Sequence, residues 1–372
     1  MKKIATITFH ASYNYGSCLQ AYALQEYIKK ICDDDCEYKI VNLRTDIQKE
    51  TYKNIFDKND FKSKIKQIIL FKYKNDFSKK EKYFEEFIKN SLQTTKEYSS
   101  LEELKNEEWK YDYYIAGSDQ LWNLQAIDFD WANYLEFIEN GKKISYAASF
   151  GPKAQNWNEE EKERVRTDLF EFDNISVREK GSFNNVKELT GINAEVNVDP
   201  TMLLDTEEWN KIIASSNEKI REGKYIFLYN LKGKKVSKIA KLISKRMKLP
   251  VIVSRYGGKD ELIYGFEKEY ATGPIEFLNL IKNAELVLSS SFHGTIFSIL
   301  LNKPFFAING EKDLRINTLL EKMGLQDRSI CIEDYKEKCK KAFDIDFSES
   351  EKLLEKEREK SKEYLMKALD IK

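Results

Sequence analysis

Two histidines are all that this 372-residue chain contains, so any imidazole chemistry falls to His10 or His293. Prolines number only five, and no proline-rich or low-complexity linker interrupts the chain. The five cysteines (Cys18, Cys32, Cys36, Cys331 and Cys339) are odd in number and scattered. That excludes a disulfide framework, and Cys32 with Cys36 falls short of the four ligands of a structural zinc site. A reduced, cytoplasmic protein follows. No run approaches the ~20 apolar residues of a membrane span. The opening Ile4–Phe9 is too short and too rich in threonine for a signal-peptide core. Charge shows no excess of either sign, with 62 basic and 62 acidic side chains. A nucleic-acid partner would call for a basic surplus and is not expected. Neither a G-x-x-x-x-G-K-[ST] phosphate loop nor a G-x-G-x-x-G dinucleotide turn is present.

What the chain does have is apolar residues at 41% and aromatics at 13%, which excludes disorder. At one domain per ~150 residues the length suggests two domains. Short apolar runs at 4–9, 38–43, 113–116, 144–147, 175–177, 195–198, 225–229, 251–254, 286–289 and 305–308 read as strands covered on both faces. Helices fall between them, several with a capping residue followed three positions later by Glu or Gln. These pairs are Ser17 with Gln20, Ser100 with Glu103, Asn158 with Glu161, Asp205 with Glu208, and Ser348 with Glu351. Gly273-Pro274 opens another helix. The alternation predicts an α/β protein with doubly wound sheets. The best boundary lies at Asp199–Asp205, giving a first domain over 1–203 and a second over 204–346. Residues 49–90 form a helical insertion in the first, with twelve lysines against seven acids.

In doubly wound sheets ligands bind beyond the carboxyl ends of strands. Three turns have a suitable strand-loop-helix form. In Ser289-Ser290-Ser291-Phe292-His293-Gly294-Thr295, glycine lets backbone approach a ligand closely and the hydroxyls of Ser290, Ser291 and Thr295 can bind an anion. The helix N-terminus adds positive potential there, and His293 stands ready as a proton donor or acceptor. The plainer reading of His293 is a packed capping residue. The turn after Phe9 carries His10, Asn14 and Gly16, which equally suit a simple turn before a Ser17 cap. Gly117-Ser118-Asp119-Gln120 forms the third, with Trp122 read as core. Arg178, after Ile175-Ser176-Val177, is a fixed positive charge whose plainer role is a salt bridge. Asp128-x-Asp130 and Asp344-x-Asp346 arise by chance in so acidic a chain, as do Glu261 and Glu269, and no metal is assigned.

Six segments in order resemble the polysaccharide pyruvyl transferase family. They are Ile-Thr-Phe-His…Asn-Tyr-Gly-Ser-Cys-Leu-Gln-Ala-Tyr-Ala-Leu-Gln from Ile7, Ala-Gly-Ser-Asp-Gln-Leu-Trp-Asn from Ala116, Ser-Tyr-Ala-Ala-Ser-Phe-Gly from Ser145, Ser-Val-Arg-Glu from Ser176, Val-Asp-Pro-Thr-Met-Leu-Leu from Val198, and Ser-Ser-Phe-His-Gly-Thr-Ile-Phe-Ser-Ile from Ser290. The resemblance covers roughly residues 4 to 330. It implies two Rossmann-like domains facing across a cleft, similar to the glycosyltransferase-B arrangement, with a C-terminal helix over 347–372 packing back on the first domain. It implies a transferase without metal or cofactor that uses phosphoenolpyruvate as co-substrate. The enolpyruvyl group passes to hydroxyls of a sugar or lipid-linked oligosaccharide, as a pyruvate ketal of a surface or exopolysaccharide. His293 is then the general acid/base. Arg178, Ser290, Ser291, Gly294 and Thr295 hold the donor anion, and Asn14, Gly16, Gly117, Ser118, Asp119 and Gln120 line the acceptor side.

The chain departs from that pattern at Ser291, where ketal-forming members often carry arginine. Either Arg178, Arg255 or a lysine supplies the charge, or the donor is a nucleotide sugar and the chain a glycosyltransferase, or the member is non-catalytic. Lysines 62, 64, 66, 72 and 74 interleave with Ile65, Ile68, Ile69, Leu70 and Phe71. This stretch suits either a helix packed on its own domain or peripheral contact with the inner face of an anionic membrane.

Overall fold

The computed structural model describes every residue except 34, 152–155, 217–220, 232–233, 257, 309 and 372. The chain divides into two compact units. One comprises Met1–Lys53, Ile88–Leu204 and Glu355–Lys372; the other comprises Asn54–Phe87 and Asp205–Leu354. The lysine-rich segment expected as an insertion in the first domain therefore belongs, over Asn54–Phe87, to the second. The reason is apolar packing: Leu70 is buried in the second unit's core, with Phe56, Ile69, Tyr73 and Phe77 against it.

The first unit is built on strands β1 (Lys2–Ile7), β2 (Cys36–Leu43), β3 (Thr94–Tyr98), β4 (Tyr113–Ala116) and β5 (Lys142–Ser145), in the order β3-β2-β1-β4-β5. All are parallel, with Ile4 of β1 opposite both Tyr38 and Tyr113. The pair β6 (Ser176–Val177) and β7 (Glu195–Val196) extends this edge through bridges Ile144–Asn174 and Ala148–Val177. The central strand β4 is buried at every position, which is why it reads as an unbroken apolar run. Strand β3, Thr-Thr-Lys-Glu-Tyr, lies at the sheet edge with its middle exposed. Its polar sequence gives no apolar signal, and it is absent from the sequence-based strand set.

After β1 comes helix α1 (Tyr15–Ile31), whose N-cap is Asn14 and not Ser17. Asn14 Oδ1 accepts from Gly16 N at 3.0 Å, while Ser17 lies inside the helix. Asn158 with Glu161 and Asp205 with Glu208 form complete capping boxes. Ser348 is the first helical residue, and Asp346 accepts hydrogen bonds from both its backbone N–H and its hydroxyl.

The second unit holds β8 (Ile226–Tyr229), β9 (Val251–Val253), β10 (Glu267–Lys268), β11 (Leu286–Ser289), β12 (Phe305–Ile308) and β13 (Ser329–Ile330). They form a parallel sheet in the order β10-β9-β8-β11-β12-β13. Edge strands β10 and β13 are two residues long, too short for a periodicity to show. Helices α2 (Phe61–Leu70) and α3 (Lys74–Ser91) come from the lysine-rich segment. Helix α4 (Phe292–Leu300) follows β11, α5 (Leu314–Lys322) follows β12, and α6 (Ser348–Ala368) closes the chain. The end of α6 is bonded within the first unit, where Tyr364 Oη donates to Ser145 O at 2.8 Å and Arg358 to the carbonyls of Met202 and Leu204.

In both sheets the chain winds outward from the middle in two directions. The reversal lies between β1 and β4 in the first unit and between β8 and β11 in the second. The sequence-derived turns follow β1, β4 and β11, so each unit has candidate residues at its own switch point. Among the described residues, no helix is long and apolar enough to cross a membrane.

The seating of α3 can be tested at Gly273, just before the helix Pro274–Asn283. A Cβ there would lie 2.5 Å from Tyr83 Cβ of α3. Gly273→Ala should cost about 1–3 kcal/mol through overpacking, read as a lower urea-unfolding midpoint. An unchanged midpoint would show that this close approach does not constrain the fold.

Candidate active-site turns at the two switch points

In the second unit, β11 runs directly into the turn Ser290-Ser291 and the first turn of α4. Ser291 is the N-cap, its Oγ accepting from Gly294 N at 3.5 Å. Its carbonyl accepts from Ser289 Oγ and Thr295 Oγ1, each at 3.0 Å. Ser290 Oγ accepts from Leu231 N at 2.9 Å, tying this turn to the end of β8. The hydroxyls expected to hold a donor anion thus build the turn, and Thr295 is fully buried. Gly294 has a similar correction: a Cβ would stand 2.3 Å from Ser289 Oγ and 3.0 Å from Tyr229 Cδ1. Glycine is required here by the protein's own packing.

His293 lies in the first turn of α4, only 6% exposed, with its ring 5.4 Å from that of Phe292. The same Phe292 ring has the Arg315 guanidinium 5.7 Å from its centre. Arg315 opens α5, and Asp313 is that helix's N-cap. Asp313, fully buried, accepts from Arg315 Nε at 3.0 Å and Nη2 at 2.9 Å, and this fork fixes the guanidinium plane. Sequence reasoning missed this pair. The segment after β12 has the same strand-loop-helix form as the other turns, with Gly310 and an aspartate cap. That signal was available in Gly310…Asp313-x-Arg315. Arg255, two residues past the end of β9, is a second cation in this unit; burial and then its charge push Lys80 of α3 down to about 7.

In the first unit, His10 is 1% exposed at the end of β1. Its Nδ1 meets Thr8 O at 3.1 Å and its Nε2 the Asn42 side chain at 2.9 Å. Both partners are carbonyl oxygens, and through Asn42 of β2 the imidazole pins β1 to β2. Gly117 lies against β1, where a Cβ would be 3.0 Å from Thr6 Cγ2. Ser118 is fully buried and donates to Ala147 O at 3.0 Å. Asp119 adopts a left-handed φ of 77°, an uncommon conformation for a side-chain-bearing residue. It accepts from Ser17 Oγ at 2.6 Å. Gln120 is half-buried and accepts from Asn123 Nδ2 at 3.2 Å. Trp122 is fully buried and stacks on Tyr134. Asp128 accepts from Ser12 and Tyr52 hydroxyls at 3.0 and 2.8 Å, and Asp130 caps the turn at Ala132.

Arg178 follows β6 and is almost wholly buried. Its guanidinium lies 2.7 Å from Asp199, 3.6 Å from Glu179 and 3.8 Å from Asp119. Burial opposes its charge, but the carboxylates of Asp199, Asp119 and Glu179 outweigh that and raise its pKa. Three negative groups around one positive leave the cluster acidic. A donor anion arriving here would meet repulsion, so the structure gives Arg178 the salt-bridge role. Among the described residues, no group of three or more His, Cys, Asp or Glu side chains is arranged to hold a metal.

Two doubly wound parallel sheets, each with polar turns at its switch point, make this an α/β protein with two Rossmann-like units. The same fold is found in solved structures of low sequence identity. UDP-GlcNAc 2-epimerase from Neisseria meningitidis is 10% identical with a TM-score of 0.53, over 99% of this chain and 100% of that one. The enzyme from Rickettsia bellii is 14% identical, TM-score 0.53, over 100% and 97%. MnaA of S. aureus, solved with UDP, is 13% identical, TM-score 0.55, over 100% and 98%. These likenesses establish a glycosyltransferase-B-type fold. No curated protein matches the sequence. The family model described as polysaccharide pyruvyl transferase matches residues 14–311, and the chain belongs to that family.

The role given to Arg178 has a direct test. Arg178→Met leaves three buried carboxylates without their cation and should cost about 3–5 kcal/mol of stability. Protons relieve such repulsion, so the deficit relative to wild type should shrink between pH 8 and pH 5, measured by thermal unfolding. The folded variant would bind protons more tightly than its unfolded chain, so its stability falls as pH rises. A variant as stable as wild type at both pH values would refute this assignment.

Proposed function

We propose that the protein transfers the enolpyruvyl carbons of phosphoenolpyruvate to two hydroxyls of a sugar in a surface-polysaccharide precursor, forming a pyruvate ketal. The observation that carries this reading is that His293 and the oriented guanidinium of Arg315, from two successive strand-helix turns, both lie near the ring of Phe292. The donor carries both a phosphate and a carboxylate, and the start of α4 adds about half a positive charge at the same place. Asp313 occupies Nε and Nη2 of Arg315, so Nη1 is the nitrogen assigned to the donor anion. In this reading Arg315 supplies the charge that Ser291 lacks.

His293, as the acid, gives a proton to the donor methylene, which becomes a methyl group and leaves the adjacent carbon electrophilic. One sugar hydroxyl adds to that carbon and loses its proton to the imidazole. The carbon–oxygen bond to phosphate then breaks, inorganic phosphate departs with that oxygen, and the second hydroxyl adds to the carbon, its proton passing to the departing phosphate. The products are a cyclic ketal and phosphate, and the chemistry asks for no further cofactor.

Turnover is measured as phosphate release from phosphoenolpyruvate with a panel of vicinal-diol and 4,6-diol sugars. His293→Ala should lower it by at least ~100-fold, the scale of a lost general acid. Arg315→Ala should act mainly through the KM for phosphoenolpyruvate, with Arg315→Lys intermediate. Undiminished turnover in His293→Ala with an unchanged circular dichroism spectrum would overturn the assignment. A second reading, transfer from a nucleotide sugar, is favoured by Ser291 itself, which leaves the turn less cationic than a phosphoenolpyruvate site. Thermal stabilisation by nucleoside diphosphates, with none by phosphoenolpyruvate, would select it.

A further inference from the structure

One face of α2 differs from the rest of the surface. Phe61, Ile65, Ile68 and the following Phe71 are 77%, 44%, 79% and 71% exposed. Large exposed apolar side chains elsewhere among the described residues are isolated, while these four fall within eleven positions. Single exposed apolar residues are ordinary, but a contiguous patch marks an interaction site. At 100° per residue, Phe61, Ile65 and Ile68 fall within about 60° of arc. The buried residues Leu70 and Ser63 lie on the opposite side, so the helix is already seated in its unit through its other face.

Around this stripe stand Lys62, Lys64, Lys66, Lys72 and Lys74, all exposed. No acidic residue occurs from Phe61 to Lys74. Among the described residues none of these lysines pairs with a carboxylate. In a chain of balanced charge this is a local excess of five positive groups. A second copy of the chain placed symmetrically on the patch would bring its own five lysines against these. An anionic lipid surface meets both features together: acyl chains take the apolar stripe and headgroup phosphates take the lysines.

We propose that α2 and Phe71 form a docking face for an anionic bilayer, the helix lying in the headgroup plane with Phe61, Ile68 and Phe71 turned toward the acyl chains. Docking requires neither a donor nor His293, so it stands or falls apart from the transfer reaction. The full chain is co-sedimented with phosphatidylcholine vesicles, with and without about one third phosphatidylglycerol, in about 0.1 M salt. Binding to the anionic vesicles is expected, falling at least ~10-fold on neutral vesicles or in about 0.5 M salt. Phe61→Ser/Ile68→Ser/Phe71→Ser, at exposed positions, should lose at least ~10-fold in partitioning with an unchanged melting temperature. Lys62→Gln and Lys66→Gln should each cost about 5-fold on anionic vesicles only. Absence of binding to anionic vesicles, or equal binding by the triple variant, would overturn the proposal. So would a dimer in sedimentation velocity that the triple variant dissolves while vesicles bind neither form, since the face would then belong to a second copy.

Discussion

A single buried guanidinium organises the carboxyl edge of the first unit. Arg178 follows β6, Asp119 follows β4, Glu179 opens the next helix and Asp199 precedes the segment joining α6, so its ion pairs tie together separate parts of the chain. Neighbouring hydroxyls complete the arrangement. Ser149 and Ser182 donate to Glu179, Thr201 and Ser118 to Asp199, and Ser17 to Asp119. Burying four charged groups is tolerable when their oxygens are met, and here serines and a threonine meet Glu179 Oε1, both oxygens of Asp199 and Asp119 Oδ2. The left-handed backbone at Asp119 belongs to the same constraint, because the turn must present its carboxylate both to Ser17 and to the arginine.

The second unit handles the same topological position differently. At the end of β11 the turn is neutral, its serines satisfy backbone groups, and Gly294 is pressed against Ser289 and Tyr229. A turn so fully bonded to itself is rigid, which suits a residue that must hold one orientation. Charge comes from the next turn along, where Asp313 sets Arg315 beside Phe292. Aspartate lowers the net charge but holds the guanidinium plane, exchanging electrostatic strength for direction.

Much of this was legible from composition and pattern. Buried parallel strands are apolar over most of their length, so β1 from Ile4 onward, β4, β8, β11 and β12 stand out. Edge strand β3 does not, because water takes the place of packing along its outer side. The turns carrying His293 and Asp119 were found because strand-loop-helix spacing marks switch points. What those residues do inside the turns was not legible. Whether Ser290 faces a ligand or Leu231 N, and whether Arg178 meets a substrate or three carboxylates, depends largely on partners up to 59 positions away. Arg315 escaped notice for a related reason: its significance lies in nearness to Phe292, across a strand pairing that no local pattern encodes.

The division of the chain has a consequence for how it is made. Backbone passes from one unit to the other after Lys53, Phe87, Leu204 and Leu354, so neither unit is a single stretch of sequence. The helices of 54–87 emerge from the ribosome long before β8 to β13, the sheet whose core receives Leu70, Phe56 and Phe77. The first unit lacks the end of α6 until residues beyond Leu354, after the whole of the second unit's sheet, are synthesised. Tyr364, Leu365 and Leu369, all buried, are made after β8 to β13. A nascent chain usually completes its N-terminal domain first. Here that order is barred, because the first unit is completed only after the second unit's sheet has been made.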